Sequence, residues 1–238
     1  MKGGKVLVDG DIIAYRCAFS KEKDLPEDVI FKVDKLMSDI LDETCIFPFT
    51  KDDYQVYLTG KGNFRYDVAK TAGYKANRKG KEKPRELDLA RDWLTISYGA
   101  VTSEGEEADD LIAKEATKLG PSTIVASVDK DMLQIPCYHF NIFRWEWDQV
   151  SDWEGLKHFY TQILTGDTTD NIIGLYRVGP KTAAKMLKDC NTEVDLWETC
   201  LKAYDGNKER VVENGRLLWL RRKEGELWEP PASEDNKP

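Results

Sequence analysis

The residues best able to do chemistry in this chain are carboxylates, and they come in close-spaced groups. The stretch S-E-G-E-E-A-D-D-L-I-A, residues 103–113, carries Glu106, Glu107, Asp109 and Asp110 at the mouth of a predicted helix. Acids in a first turn suit the positive end of the helix dipole, so this group alone is also ordinary helix chemistry. The theme recurs, however, at Asp129 and Asp131 in S-V-D-K-D-M-L-Q, at Asp167 and Asp170 in G-D-T-T-D-N, and at Asp9, which closes the apolar run K-V-L-V-D. Each group falls at a predicted turn or strand end, where side chains can converge.

Asp9, Glu107, Asp109, Asp110, Asp129, Asp131, Asp167 and Asp170 could share one cleft only if cations compensated them, since repulsion otherwise raises their pKa values until some take up protons. His139 and His158 are the only histidines and no cysteines are spaced C-x-x-C, which disfavours soft or borderline metals. Oxygen-only donors point to magnesium or manganese. Two such ions about 4 Å apart can activate a water, hold a scissile phosphate and stabilise the leaving oxygen. The implied reaction is phosphodiester hydrolysis. Asp167 and Asp170 share one side of a helical turn, and Asp129 and Asp131 one side of an extended segment, although D-x-D is common enough by chance that spacing is a weak signal.

Two stretches could attract phosphate. Between residues 70 and 85, Lys70, Lys75, Arg78, Lys79, Lys81, Lys83 and Arg85 face one acid, Glu82, in a chain whose net charge is −8. Such a basic arm on an acidic body separates a phosphate-attracting surface from a metal-attracting one, the plainer alternative being a solvated loop. In D-N-I-I-G-L-Y-R-V-G-P-K-T-A-A-K-M-L, residues 170–187, a hairpin holding Gly174 and Gly179 runs to Pro180, where a helix could begin. Its free backbone N–H groups could contact a phosphate with Lys181 adding charge, or it could be a glycine turn between packed helices.

The elements that must position these residues alternate. Strands are predicted at 5–9, 54–59, 100–102, 122–128 and 137–143, and helices at 12–19, 27–45, 86–98 and 106–119, by apolar runs and 3.6-residue periodicity. This pattern predicts an α/β fold, mainly a parallel sheet with helices on both faces, with sites beyond the carboxyl ends of the strands near a topological switch point. From residue 152 the alternation ceases, and helices are expected at 153–164, 182–187, 194–204 and 210–220. The expected organisation is an α/β catalytic domain over 1–151 with a basic arch at about 61–85, a helical region over 152–223, and a disordered tail over 224–238.

The 238 residues, 41% of them hydrophobic, suffice for a real core, and five cysteines in no paired pattern fit a reducing cytosol. No apolar stretch has signal-peptide or membrane-spanning length, so a cytoplasmic protein is expected, in the host cytoplasm if phage-encoded.

Taken in order, V-D-G, Y-K-A-N-R, G-E-E-A-D-D, S-V-D-K-D-M-L-Q and G-D-T-T-D-N-I-I-G-L-Y-R-V-G-P-K-T-A resemble the motifs of the 5′-nuclease family, the flap endonucleases and 5′→3′ exonucleases of bacteria and phages. The resemblance spans roughly residues 5 to 190, and the compact length is most like a phage-type member. It implies a sheet domain with a two-magnesium acidic site, a flexible arch and a helix–hairpin–helix-type DNA-binding motif. By motif, Asp9, Glu107 and Asp109 would serve the first metal and Asp129, Asp131, Asp167 and Asp170 the second, with Asp110 in support. Lys75 would contact the scissile phosphate, Arg16 would be a nearby phosphate-contacting cation, and Tyr74 could stack on a displaced base. Arg78, Gly174, Arg177, Gly179 and Lys181 complete the expected DNA contacts, with a monovalent cation a further candidate at the hairpin. The implied partners are DNA with 5′ ends or flaps and, as a further candidate, RNA–DNA hybrid, with no membrane and no small-molecule cofactor.

Three positions depart from the family pattern. Thr59 stands where an Asp usually follows the second strand, which implies a first metal held more through water. Arg177 replaces a common glycine and Ile173 a common proline. Two other readings compete. L-V-D-G-D-I-I also resembles the opening of haloacid-dehalogenase-like phosphotransferases, in which the first Asp attacks phosphorus. Thr59 would also suit a structure-specific DNA-binding protein with impaired catalysis.

Overall fold

The computed structural model describes residues 4–19, 25–45, 48 and 50–232. The chain forms two compact units, one from Met1–Asn63 with Lys81–Ser151 and one from Phe64–Gly80 with Asp152–Pro238.

The first unit is built on a six-stranded sheet of order β3-β2-β1-β4-β5-β6. Its strands are β1 Val6–Asp9, β2 Tyr54–Lys61, β3 Val101–Glu104, β4 Ile124–Ser127, β5 Tyr138–Asn141 and β6 Glu146–Gln149. β1 to β5 pair in parallel, and β6 closes the edge antiparallel to β5. The antiparallel edge is absent from the sequence reading because residues 146–149 are mostly exposed and polar, so no apolar run announces them. β1 and β4 are buried at every position, as strands of a sheet covered on both faces must be.

Helices α1 Gly10–Ala18, α2 Pro26–Thr44, α3 Leu87–Tyr98 and α4 Ala108–Leu119 complete this unit. In α2, Val29, Val33, Met37, Ile40 and Leu41 form the buried stripe, and Pro26 sits at the first helical position, where its missing N–H costs nothing. A Cβ on Gly10 would lie 2.7 Å from the Tyr57 carbonyl oxygen, so α1 begins against β2 only because residue 10 has no side chain. The chain passes from β1 outward through β2 to β3, then crosses back to β4 on the other side of β1. The carboxyl ends of β1 and β4 are therefore neighbours at the point of reversal, where α/β sheets leave a crevice.

The second unit contains a helical turn at Arg65–Val68, a 3-10 turn at Ala76–Arg78, helices α5 Asp152–Thr165, α6 Pro180–Met186, α7 Glu193–Ala203 and α8 Lys208–Leu218, and the two-residue strands β7 Gly166–Asp167 and β8 Ile172–Ile173. Its core gathers Phe159, Tyr160, Ile163, Leu164, Trp197 and Trp228.

Two boundaries differ from expectation. The basic arch does not belong wholly with the sheet: residues 64–80 group with the helices, and 81–85 with the sheet. Buried Arg65 is the reason, since its Nε donates to the Leu217 carbonyl at 2.8 Å and its Nη2 to that of Trp219 at 3.0 Å. The expected tail also begins too early, because Trp228 is buried with its ring 5.3 Å from Phe159 and 6.0 Å from Trp197. Residues 233–238 of that segment lie outside the described residues. Among the described residues no helix is long and apolar enough to cross a membrane.

Candidate active site: carboxylates in each unit and a basic segment

In the sheet unit, Asp9, Asp129 and Asp131 lie on one run of hydrogen bonds. Asp9 ends β1 and its Oδ1 accepts the Ile12 N–H at 3.3 Å, capping α1. Its Oδ2 accepts a 2.7 Å hydrogen bond from the Ser127 hydroxyl at the end of β4. Ser127 Oγ in turn accepts the Asp129 N–H at 3.0 Å, and Asp129 Oδ1 accepts that of Asp131 at 2.8 Å. One short chain of bonds thus links both strand ends across the switch point.

Burial pushes the Asp9 carboxyl up to about 7, against a lowering by Ser127, with Asp11 and Asp129 adding repulsion. Asp109 is driven well above the ordinary carboxylate range, first by burial and then by the charges of Asp9, Asp129, Glu107 and Asp110. The charges of Asp9, Asp11, Glu107, Asp109, Asp110 and Asp129 thus act within one neighbourhood of this unit, raising the Asp9 and Asp109 carboxyls. Among the described residues no group of three or more Asp, Glu, His or Cys side chains stands ready-made to hold an ion. The donor set nevertheless suits a hard divalent cation, which would relieve this repulsion directly.

The acids are not equivalent. Asp110 is fully buried, and its Oδ2 accepts the Glu107 N–H at 3.2 Å at the start of α4. Asp131 pairs with Lys130 at 2.8 Å. Glu106, buried, pairs with Lys114 of α4. Asp9, Asp129, Glu107 and Asp110 are the acids whose charges act on Asp109.

Thr59, the position lacking the family carboxylate, is bonded through every polar group it has. Its hydroxyl oxygen accepts the Ala108 N–H at 2.9 Å, its own N–H donates to Asp11 Oδ2 at 2.8 Å, and its carbonyl accepts from Arg91 Nη2. Arg91 Nη1 also donates to Asp11 Oδ1. Asp11, Arg91 and Ser127 are residues that the sequence reading missed. The D-G-D spacing and the serine two before Asp129 were available signals for two of them, whereas nothing local marks Arg91.

In the helical unit, Asp167 and Asp170 flank a tight turn in which Asp167 Oδ1 accepts the N–H groups of Thr169 at 2.6 Å and Asp170 at 3.3 Å. Asp170 is the hub of the basic segment. Its carboxylate takes Arg78 Nη2 at 2.6 Å, the Tyr74 hydroxyl at 2.8 Å and Lys75 Nζ at 3.6 Å, and its carbonyl accepts the Lys75 N–H at 2.9 Å. Asn77 and Asn171 add bonds to the Thr168 and Gly73 carbonyls, both at amide-carbonyl distance. Lys75 is held in the left-handed region, φ 53°.

Tyr74 cannot serve as the expected stacking platform. It is buried, edge-on to Tyr66 at 5.7 Å and bonded to Asp170; Tyr66 is the exposed ring of that pair. In the hairpin, the backbone at Gly174 runs so close to α5 that a Cβ would lie 2.1 Å from the Thr165 carbonyl carbon. Gly179 caps α6 ahead of Pro180, and Gly179 and Lys181 are exposed. Arg177, at φ 59°, lies over the exposed Tyr176 ring at 5.0 Å. Arg16 is in the sheet unit, its guanidinium 3.9 Å from the Phe143 ring centroid.

Fold and site together define an α/β protein with carboxylates at a switch point of its sheet and, in the other unit, a basic segment paired with Asp170. Residues 5–163 match the family model described as 5′-3′ exonuclease, N-terminal resolvase-like domain, and the chain therefore belongs to the 5′-3′ exonuclease family. A 5′-3′ exonuclease of Buchnera aphidicola subsp. Schizaphis graminum is 28% identical over 205 residues, covering 77% of this chain and 69% of its own. The thermostable DNA polymerase I of Thermus aquaticus is 27% identical over 237 residues, covering 89% of this chain but only 26% of the polymerase. Among solved structures, bacteriophage T5 5′-exonuclease with divalent zinc ions bound has a TM-score of 0.66 at 18% identity, covering 91% of this chain and 89% of its own. The T5 flap endonuclease in a complex with DNA and metal ions has a TM-score of 0.64, also at 18% identity and the same coverages.

Proposed function

We propose that this chain is a divalent-metal-dependent 5′-nuclease that hydrolyses phosphodiester bonds of DNA at or near 5′ ends, with magnesium or manganese as the ion. The observation that carries this reading is the run of hydrogen bonds that joins Asp9 to Asp129 through Ser127 at the switch point, beside further acids whose repulsion a hard cation would relieve. Asp9, Glu107, Asp109 and Asp129 would hold the metal in the sheet unit. In the helical unit, Asp167 and Asp170 are the acids that the family resemblance assigns to a second ion, with Asp170 also paired to Arg78 and Lys75. Bound ions of this kind lower the pKa of a water and neutralise charge developing on phosphate.

The protein's own part is positioning. Ser127 holds the Asp9 carboxylate by its hydroxyl, Asp110 fixes the start of α4, and Asp131 steadies the Asp129 turn. Lys75 and Arg78 present cations to phosphate oxygens, Arg177 and Lys181 do so at the hairpin, and Arg16 does so on the sheet unit. DNA is the substrate, with RNA–DNA hybrid a second one to assay.

The direct test is cleavage of a labelled 5′-flap duplex with magnesium, repeated with Asp129→Asn. Metal-dependent cleavage by the unsubstituted chain, lost in the variant while DNA binding persists, is the expected result. Binding without cleavage by the unsubstituted chain would decide for the DNA-binding protein with impaired catalysis, the reading that Thr59 favours. A trapped aspartyl-phosphate on Asp9 would decide for the phosphotransferase.

A further inference from the structure

Thr59 sits where four elements of the sheet unit meet: β2, whose end carries it; α1, which carries Asp11; α3, which carries Arg91; and α4, which begins at Ala108. The first N–H groups of a helix have no partner within the helix and must find one outside it. In α4, Ala108 finds the Thr59 hydroxyl and Glu107 finds Asp110. The residues so fixed are the helix turn that carries Glu107 and Asp109. Thr59 is itself immobilised, because Arg91 donates to its carbonyl and to Asp11, and Asp11 accepts its N–H.

We propose that Thr59 is a positioning residue for the acidic site, one that sets its metal affinity by capping α4 with a neutral hydroxyl and is held in place by the Asp11–Arg91 pair. This rests on the metal-site reading given above. The physical trade is specific. A carboxylate at 59 would join a group that already repels itself and would tighten metal binding only at the expense of the metal-free fold. A hydroxyl can accept the same N–H without adding charge. The Asp11 carboxylate, two residues after Asp9 in sequence, is meanwhile engaged by Arg91.

The experiment is a manganese titration of the full chain followed by electron paramagnetic resonance, with steady-state cleavage measured alongside. Thr59→Val, which keeps the volume and removes the acceptor, should raise the manganese Kd on the order of 10-fold, the scale of losses when a residue supporting metal ligands is removed. Thr59→Ser should restore affinity to within about twofold. The loss should appear in cleavage as a raised metal requirement, recovered at saturating manganese, with KM for DNA unchanged. Thr59→Ala gives an independent route if Thr59→Val does not fold, and the same rise is expected because it also removes the acceptor of the Ala108 N–H without changing charge. A folded Thr59→Val, or Thr59→Ala, with the manganese Kd of the unsubstituted chain would overturn the proposal. If the unsubstituted chain bound no manganese, the metal-site reading would fail first and this proposal with it.

Discussion

Lys75 and Asp170 are bound to each other twice, through Nζ and a carboxylate oxygen at 3.6 Å and through the Lys75 N–H and the Asp170 carbonyl at 2.9 Å. The cation expected at phosphate and an acid expected at metal therefore share one local structure, in which Arg78 also has a 2.6 Å ion pair with the same carboxylate. The partly exposed pairs are worth little singly; their effect is to order residues 74–78.

Replacing Asp170 with Asn should therefore loosen that segment as well as impair catalysis. Limited trypsin digestion is expected to cut after Lys75 and Arg78 faster in Asp170→Asn than in the unsubstituted chain. Equal digestion rates would show that Asp170 does not order the segment.

Lys75→Ala should slow the chemical step about 100-fold, the scale for removing one donor to developing charge, with a much smaller change in KM. Single-turnover cleavage separates the two. A change confined to affinity would remove Lys75 from the reacting phosphate.

Asp9 holds its proton more tightly in the folded chain, at about 7, than at its ordinary value of 3.8, and Asp109 shifts in the same direction. A raised carboxyl pKa means that the folded state binds more protons between those values. Its stabilising contribution is complete below about pH 4 and is lost as pH rises through about 7. The metal-free chain should accordingly have a lower Tm near pH 8 than near pH 5, and magnesium should raise Tm more at the higher pH. Calorimetry with and without chelator reads this, and a magnesium effect independent of pH would contradict it.

Arg65→Met should destabilise the helical unit by about 3 kcal/mol, since it strips two buried carbonyls, Leu217 and Trp219, of charged donors. Urea unfolding of the full chain measures it, and a loss under about 1 kcal/mol would mean that water replaces the guanidinium.

Trp228→Ala should cost about 3–5 kcal/mol, as large-to-small core substitutions do, because its ring packs on Phe159 and covers Gly215, where a Cβ would lie 2.3 Å from ring carbon Cε3. An unchanged unfolding midpoint would return this segment to the tail.

Much of this architecture was legible in the chain itself. Strand and helix identities follow from local periodicity: K-V-L-V-D reads as a short buried strand, and the alternation up to residue 151 favours a parallel sheet with sites beyond the carboxyl ends of its strands. The acids and their order likewise announced oxygen-ligand chemistry. What the tertiary structure alone decided is which groups those acids meet. Asp11 finds Thr59 across 48 residues, Arg91 finds Asp11 across 80, and Ser127 finds Asp9 across 118. Such pairings depend on sheet register and helix packing, to which no local pattern refers. The same holds for Tyr74, whose ring is buried rather than offered to a base, and for residues 64–80, part of the expected basic arch at about 61–85, which Arg65 attaches to the helices through the Leu217 and Trp219 carbonyls. Composition and periodicity specify which elements form, whereas long-range hydrogen bonds and packing specify where each side chain is spent.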